Sequence, residues 1–298
     1  MAFGRFNAFL MLILILFWGS SFVVVKIALE EGLSPITIAT CRFLVAGGLF
    51  TIAVLAQKGR KRDYKVLVEK RDFPTLLLLA LTGVTFFFIA QYTGIQLAGA
   101  SIAAILVCLL SPVLITVFSH IIFKERLSKT QAFGVGAAGI GTFIAIASGT
   151  MSVSGEPTFF LGSLILLSTP ILWATYSLIG NKITNKYDPF LVVAYVNALG
   201  GLCLIPSSLA EHSFYQIFTM SITGWLAILY LAITCSFVGY YIWLYVMKKV
   251  GAATTSSFIF AEPLVTVTLA TFVGEKISML ILAGGCLIFV GVYLVTRK

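Results

Sequence analysis

The sequence predicts an all-α integral membrane protein in which ten transmembrane helices form two inverted five-helix repeats. Three observations carry that prediction. Of the 298 residues, 59% are hydrophobic and only 10% charged, whereas a soluble domain carries roughly 25% charge, so there is too little polar surface to cover a soluble globule. The apolar residues fall into ten runs, each close to the roughly 20 residues that cross a bilayer as a helix. The two halves of the chain also align with each other over almost their whole length.

The runs lie near 7–28, 35–57, 74–96, 99–123 and 131–148, then 160–181, 190–210, 222–246, 252–273 and 279–296. The third and fourth runs meet at a tight gap around Leu97 to Ala100. The first run follows Arg5 but lacks a small-x-small cleavage site, so it reads as a span and not as a signal peptide.

Loop charges set the orientation, because Lys and Arg are retained on the cytoplasmic side. With the N-terminus inside, the cytoplasmic segments hold Arg5; Lys58, Arg60, Lys61, Arg62, Lys65, Lys70 and Arg71; Lys124, Arg126 and Lys129; Lys182 and Lys186; Lys248 and Lys249; Arg297 and Lys298, which is 17 of the 20 basic residues. Lys26 and Lys276 at outer helix ends and Arg42 within a span are the exceptions, while Glu30, Glu31, Glu156, Glu211 and Glu275 lie outside. Both termini are therefore expected in the cytoplasm, with the protein in the inner or plasma membrane. The charge of +9 is confined to these short segments, which leaves no face for nucleic acid. The five cysteines all lie in apolar runs without a CxxC pair, so they read as packing residues.

The halves, 1–150 and 151–298, repeat at nearly constant spacing. Trp18 pairs with Trp173, Pro35 with Pro189, the GGL at 47–49 with that at 200–202, and Pro112 with Pro263. Glu125, Ser128, Gly134 and Gly141 meet Glu275, Ser278, Gly284 and Gly291. An odd number of spans per half inverts the second copy, an architecture that many secondary transporters use for alternating access.

Several of these segments carry a further likeness. The FWGS at Phe17–Ser20, the Pro35 and Arg42 of span two, the SP and EP prolines of spans four and nine, and the KERLS and GEKIS segments resemble the paired EamA domains of the drug/metabolite transporter superfamily. The resemblance covers essentially the whole chain. It implies ten helices, cytoplasmic termini and a central cavity lined by both halves; members mostly export amino acids and other small metabolites, and some import theirs.

Candidate site residues follow from cost. An ionisable group inside a span costs roughly 2.5–3.5 kcal/mol on insertion scales and is a functional candidate by default. Arg42 lies roughly 10 Å into span two from Pro35, where it could neutralise a substrate carboxylate or bond carbonyls near a helix break. Glu262 is the one carboxylate well inside a span, opposite Ser111 in the repeat. It could bind an amine, carry a proton as the coupling ion, or stay protonated against a neighbouring helix. Pro112 and Pro263 are matched hinge or kink positions. Trp18, Gln91, Tyr92, Trp173, Tyr176, Asn197, Tyr241 and Tyr245 are candidates for cavity lining, since ligand pockets combine apolar and aromatic walls with a few polar groups. Gly134–Gly139 fits GxGxxG, yet inside a span it reads as close helix packing, as do Gly284, Gly285 and Gly291.

Nothing resembles a nucleotide-binding loop, metal ligand set or other cofactor motif, so no cofactor is implied. The expected function is secondary transport of a small metabolite, an amino acid or relative, with export favoured; the partners are that substrate, the bilayer and a coupling proton. Import is an alternative direction. A membrane enzyme acting on a lipid-like substrate would require Arg42, His120 and Glu262 to converge on one cleft, and a channel would require a continuous polar path.

Overall fold

The computed structural model describes residues 5–60, 66–123, 128–152, 157–213, 215–275 and 277–296. Lys61, Arg62, Lys65, Lys124, Glu125, Arg126, Glu156, Lys276, Arg297 and Lys298 lie outside them. Ten helices follow the predicted runs: α1 (Arg5–Glu30), α2 (Pro35–Arg60), α3 (Lys70–Ala98), α4 (Ala100–Phe123), α5 (Lys129–Ser152), α6 (residues 157–183), α7 (Pro189–Ala210), α8 (Ile222–Val250), α9 (residues 252–272) and α10 (Met279–Thr296). Nine are long and apolar enough to cross a bilayer among the described residues, and the tenth, α10, is a shorter apolar helix over Met279–Val295. No strand occurs in the described chain.

Local chemistry sets the helix starts. Pro35 and Pro189 open α2 and α7, where a missing N–H costs nothing. Each follows a capping side chain: Thr37 N–H donates to Ser34 Oγ at 3.1 Å, and Phe190 N–H donates to Asp188 Oδ1 at 2.8 Å. The repeat-matched serines cap α5 and α10. Gln131 N–H donates to Ser128 Oγ while Ser128 N–H donates to Gln131 Oε1, a reciprocal capping box, and Ile281 N–H donates to Ser278 Oγ at 3.2 Å. The short gap between α3 and α4 is the single residue Gly99 at φ 95°, matched by Gly251 at φ 86° between α8 and α9; without a side chain, glycine adopts this geometry freely.

Helices also depart from α geometry. π-Helical turns interrupt α3 at Leu81–Thr85 and α8 at Leu231–Gly239. The two prolines differ in setting: Pro112 lies inside an uninterrupted α4, whereas Pro263 begins the second part of α9 after a 3-10 stretch at Ser257–Ala261.

Packing joins the halves. α5 lies antiparallel against α10, with Gly134 facing Gly291 and Gly141 facing Gly284; α2 lies antiparallel against α7, with Gly47 on Ala198 and Gly201 on Phe43. α3 packs on α6 as α8 packs on α1, and α4 on α6 as α9 on α1. Gly136 and Gly139 of the GxGxxG segment have open space beside them, so only part of that motif serves close approach.

One half-buried contact accounts for Lys26, an exception to the loop-charge pattern. Its Nζ lies 3.0 Å from Glu275 Oε2, and Glu275 also accepts the first free N–H groups of α4, from Ser101 at 2.8 Å and Ala100 at 3.3 Å. An anion at a helix N-terminus satisfies orphan donors and opposes the helix dipole. Burial raises the Glu275 carboxyl, but hydrogen bonds from Ser101 and Lys26 outweigh it and leave it below the usual range. A lowered folded-state value adds stability above the unfolded value of about 4.3, lost as pH falls through the folded one. Acidification below about pH 4.5 should therefore lower the melting temperature of the detergent-purified protein more than that of Glu275→Gln; parallel pH profiles would refute this role.

Candidate functional site

A cavity at the centre of the bundle is walled by Trp18, Ser21 and Phe22 of α1, Arg42 of α2, Phe87, Phe88 and Gln91 of α3, and Val107, Cys108 and Ser111 of α4. Trp173 of α6, Tyr240 of α8, and Ile259 and Glu262 of α9 complete it. It leaves about 40 Å³ for the centres of water-sized groups, against the roughly 10–15 Å³ that one water requires. A metabolite therefore enters only if the walls part.

Arg42 and Glu262 are 2% and 3% exposed and are the only Lys, Arg, Asp or Glu residues buried to this degree among the described residues. They are not paired with each other. No described carboxylate lies within 4.0 Å of Arg42. Instead its Nε donates to Ser236 Oγ at 2.7 Å and its Nη1 to Tyr92 Oη at 2.5 Å. The guanidinium carbon lies 4.5 Å from the centre of the Phe88 ring and 5.0 Å from that of Phe43, within range of cation–π attraction. These contacts use two of its five N–H groups and none cancels its charge.

Glu262 Oε2 accepts the Cys108 thiol at 3.1 Å, while Oε1 is buried without a hydrogen-bond partner among the described residues. A buried carboxylate oxygen left unmatched costs stability, and Glu262 is a residue of the cavity wall.

Aromatic rings form another wall. The repeat-related Trp18 and Trp173 meet edge to face at 5.4 Å, Tyr240 lies 5.9 Å from each, and Trp243 packs behind both. Trp18 Nε1 donates to Cys235 O at 2.9 Å, and Tyr240 Oη donates to Gly83 O at 2.6 Å. Both acceptors lie in the π-helical turns, whose altered ladders offer carbonyls to side chains.

The cavity thus gathers Trp18, Arg42, Gln91, Trp173 and Glu262 from the expected set. Tyr92 reaches it through Arg42, and Tyr176 stands behind Trp173 at 5.0 Å with its hydroxyl unpartnered among the described residues. Asn197 does not line it; this residue is buried where α7 meets α2, its Nδ2 donating to Val193 O. Tyr241 and Tyr245 share a helix face as expected, 5.6 Å apart, but that face meets Phe190 and Lys249 rather than the cavity. Pro112 and Pro263 are neighbours of the lining residues Ser111 and Glu262. His120 is absent from the cavity and bonds Thr116 O in its own helix at 2.8 Å, so the three groups a membrane enzyme would require do not converge.

Phe87, Phe88 and Tyr240 went unanticipated. Aromatics within apolar spans give no contrast in sequence, and Tyr240 differs from Tyr241 only by the roughly 100° that separates successive residues on a helix.

Comparison with known proteins adds a separate line of evidence. The sequence matches the EamA-like transporter family twice, over residues 5–147 and 160–297. It is 30% identical over 290 residues to an uncharacterized transporter of Archaeoglobus fulgidus, covering 97% of this chain and 96% of the relative. It is 30% identical to the uncharacterized inner membrane transporter YedA of Escherichia coli K12, covering 95% of this chain and 88% of that one. A Salmonella typhimurium protein described as a "probable amino-acid metabolite efflux pump" is 26% identical, covering 98% and 95%. One solved crystal structure superposes with a TM-score of 0.65 at 20% identity, over 97% of this chain and 96% of the other, a likeness of fold alone. With nine membrane-length helices among the described residues, a cavity between the halves and a family match over both of them, this chain belongs to the EamA-like transporter family and is a multi-pass membrane transporter.

Proposed function

We propose that the protein is a secondary transporter that exports a small amphipathic metabolite bearing a carboxylate, an amino acid or close relative. The observation that carries this reading is Arg42, a buried cation with no carboxylate beside it among the described residues and a place on the cavity wall. Desolvated charges are costly without an opposite charge, so a cationic cavity favours an anionic group on its ligand. The aromatic walls suit an apolar portion of the same molecule, and Gln91 and Glu262 offer polar contacts for an amine. The name of the Salmonella relative agrees with an amino-acid cargo and outward flux.

Alternating access is supported by the packing. Helices matched by the sequence repeat, α2 with α7 and α5 with α10, meet antiparallel, as a two-fold axis in the membrane plane requires. The small cavity agrees, because a metabolite needs more room than it offers and movement of one half against the other would supply it. Both termini lie in the cytoplasm on the loop-charge argument.

The test is flux in reconstituted liposomes. Labelled amino acids should show saturable counterflow without ATP, and unsaturable conductance would overturn the carrier reading. If Glu262 carries a coupling proton, Glu262→Gln should abolish the pH dependence of flux; an unchanged pH profile at normal rates would make Glu262 structural.

A further inference from the structure

Arg42 is fixed by hydroxyl groups from two other helices, one in each half of the molecule. Tyr92 belongs to α3 and is 1% exposed; Ser236 belongs to α8 and is 0% exposed. Tyr92 lies in the regular α-helical part of α3, beyond its π turn, whereas Ser236 does not sit in ordinary α register. Ser236 falls within the π-helical turn at Leu231–Gly239, a rare geometry that recurs at functional sites. Within that turn two successive residues serve the cavity wall: the carbonyl of Cys235 accepts from Trp18 Nε1, and the hydroxyl of Ser236 accepts from Arg42 Nε.

The choice of acceptor is informative. A carboxylate at either position would orient the guanidinium equally well but would also neutralise it, since charge-assisted fork pairing is the strong way to satisfy arginine. Serine and tyrosine hydroxyls are neutral. They fix the plane of the guanidinium through Nε and one Nη while leaving its positive charge uncancelled. The rings of Phe43 and Phe88 pack near the same group and likewise add no negative charge. An arginine held this way remains able to bind an anion with its remaining N–H donors.

From this geometry we infer that Ser236 and Tyr92 are positioning residues for the substrate carboxylate, holding Arg42 oriented yet unneutralised. Ser236 carries the further consequence that the orientation of Arg42, in the first half, depends on a residue of the second. The inference rests on the carrier reading above.

The test is the concentration dependence of amino-acid counterflow in liposomes bearing the full chain, with each of the twenty standard amino acids as probe. For an amino acid that the unaltered protein carries, Ser236→Ala should raise KM about tenfold, in the range of a hydrogen bond to a charged group, with little change in maximal rate. Ser236→Thr keeps the hydroxyl and should restore KM. Ser236→Asp supplies a competing carboxylate and should abolish saturable flux in folded protein. Tyr92→Phe removes only the hydroxyl while retaining the ring that packs on Phe88 at 5.2 Å; it should raise KM as Ser236→Ala does, and it decides the matter if Ser236→Ala does not fold. An unchanged KM in the folded hydroxyl-deletion variants, or a fall in maximal rate alone, would overturn the positioning role while leaving the carrier reading intact. If the unaltered protein carries none of the twenty, the amino-acid reading fails and this inference falls with it.

Discussion

Gly141→Leu should leave little folded protein. A Cβ at Gly141 would sit 2.7 Å from Gly284 O and 2.8 Å from Ile288 N, and one at Gly284 would sit 2.7 Å from Gly141 O. The obstacles are backbone atoms of the facing helix, which cannot rotate aside as a side chain can. Any larger residue must therefore push α5 and α10 apart along the contact they share. Overpacking costs about 1–3 kcal/mol where side chains can adjust, and here the cost should reach or exceed the top of that range. Close approach through small residues is a main source of helix association in lipid, where no hydrophobic driving force acts between helices. Gly136→Leu, on the same helix with nothing within 4 Å of its Cβ, is the control. Melting temperature and the monodisperse fraction in detergent should collapse for Gly141→Leu and hold for Gly136→Leu. Equal behaviour of the two would refute the close-contact account.

Arg42→Gln should separate function from stability. The substitution removes a charge that is 2% exposed and has no described carboxylate within 4.0 Å, so the folded protein should lose no ion pair and should be relieved of a desolvated cation. The melting temperature is expected to stay level or rise. Counterflow of an amino acid should fall on the order of 100-fold or more, because losing the charged partner of a buried carboxylate costs about 2–5 kcal/mol. Lower stability together with lower flux would instead mark Arg42 as a structural anchor for Tyr92 and Ser236.

Much of the fold was legible because spanning a bilayer constrains each segment separately. Every backbone polar group must be satisfied within its own helix, and enough apolar side chains must follow one another to cover the hydrocarbon. Windows of about 20 residues reveal both requirements, so the described helices start and stop within a few residues of the runs. The tight spacing at Leu97 to Ala100 works because Gly99 alone turns the chain. Of the residues matched between halves, Pro35 and Pro189 became helix starts and Ser128 and Ser278 became caps, which are decided by neighbours two or three residues away.

The site was legible only where a residue stood out against its apolar surroundings. Arg42 and Glu262 are conspicuous as ionisable groups inside spans, and they line one cavity. Trp18 and Trp173 stood out through the repeat. Asn197 was equally conspicuous, yet it is buried between α2 and α7, where closely approaching backbones leave it inside a helix contact. Tyr240 rather than Tyr241 reaches the cavity because α8 widens into a π turn just before it and changes which residues face inward. No feature of the sequence announces that turn, so Ser236 looked like an ordinary small residue.

Composition, loop charge and internal spacing therefore suffice for the all-α class, the spans and the repeat, since each depends on properties summed over one segment or compared between two. The rotation of each helix about its own axis is a different matter. A helix that is apolar on every side has no preferred inward face, so its rotation is set by contacts with partners far away in sequence, such as Gly141 against Gly284 and Gly47 against Ala198. Contacts of the same long-range kind, α2 against α3 and α8, bring Tyr92 and Ser236 to Arg42, and they make a buried arginine part of a cavity wall.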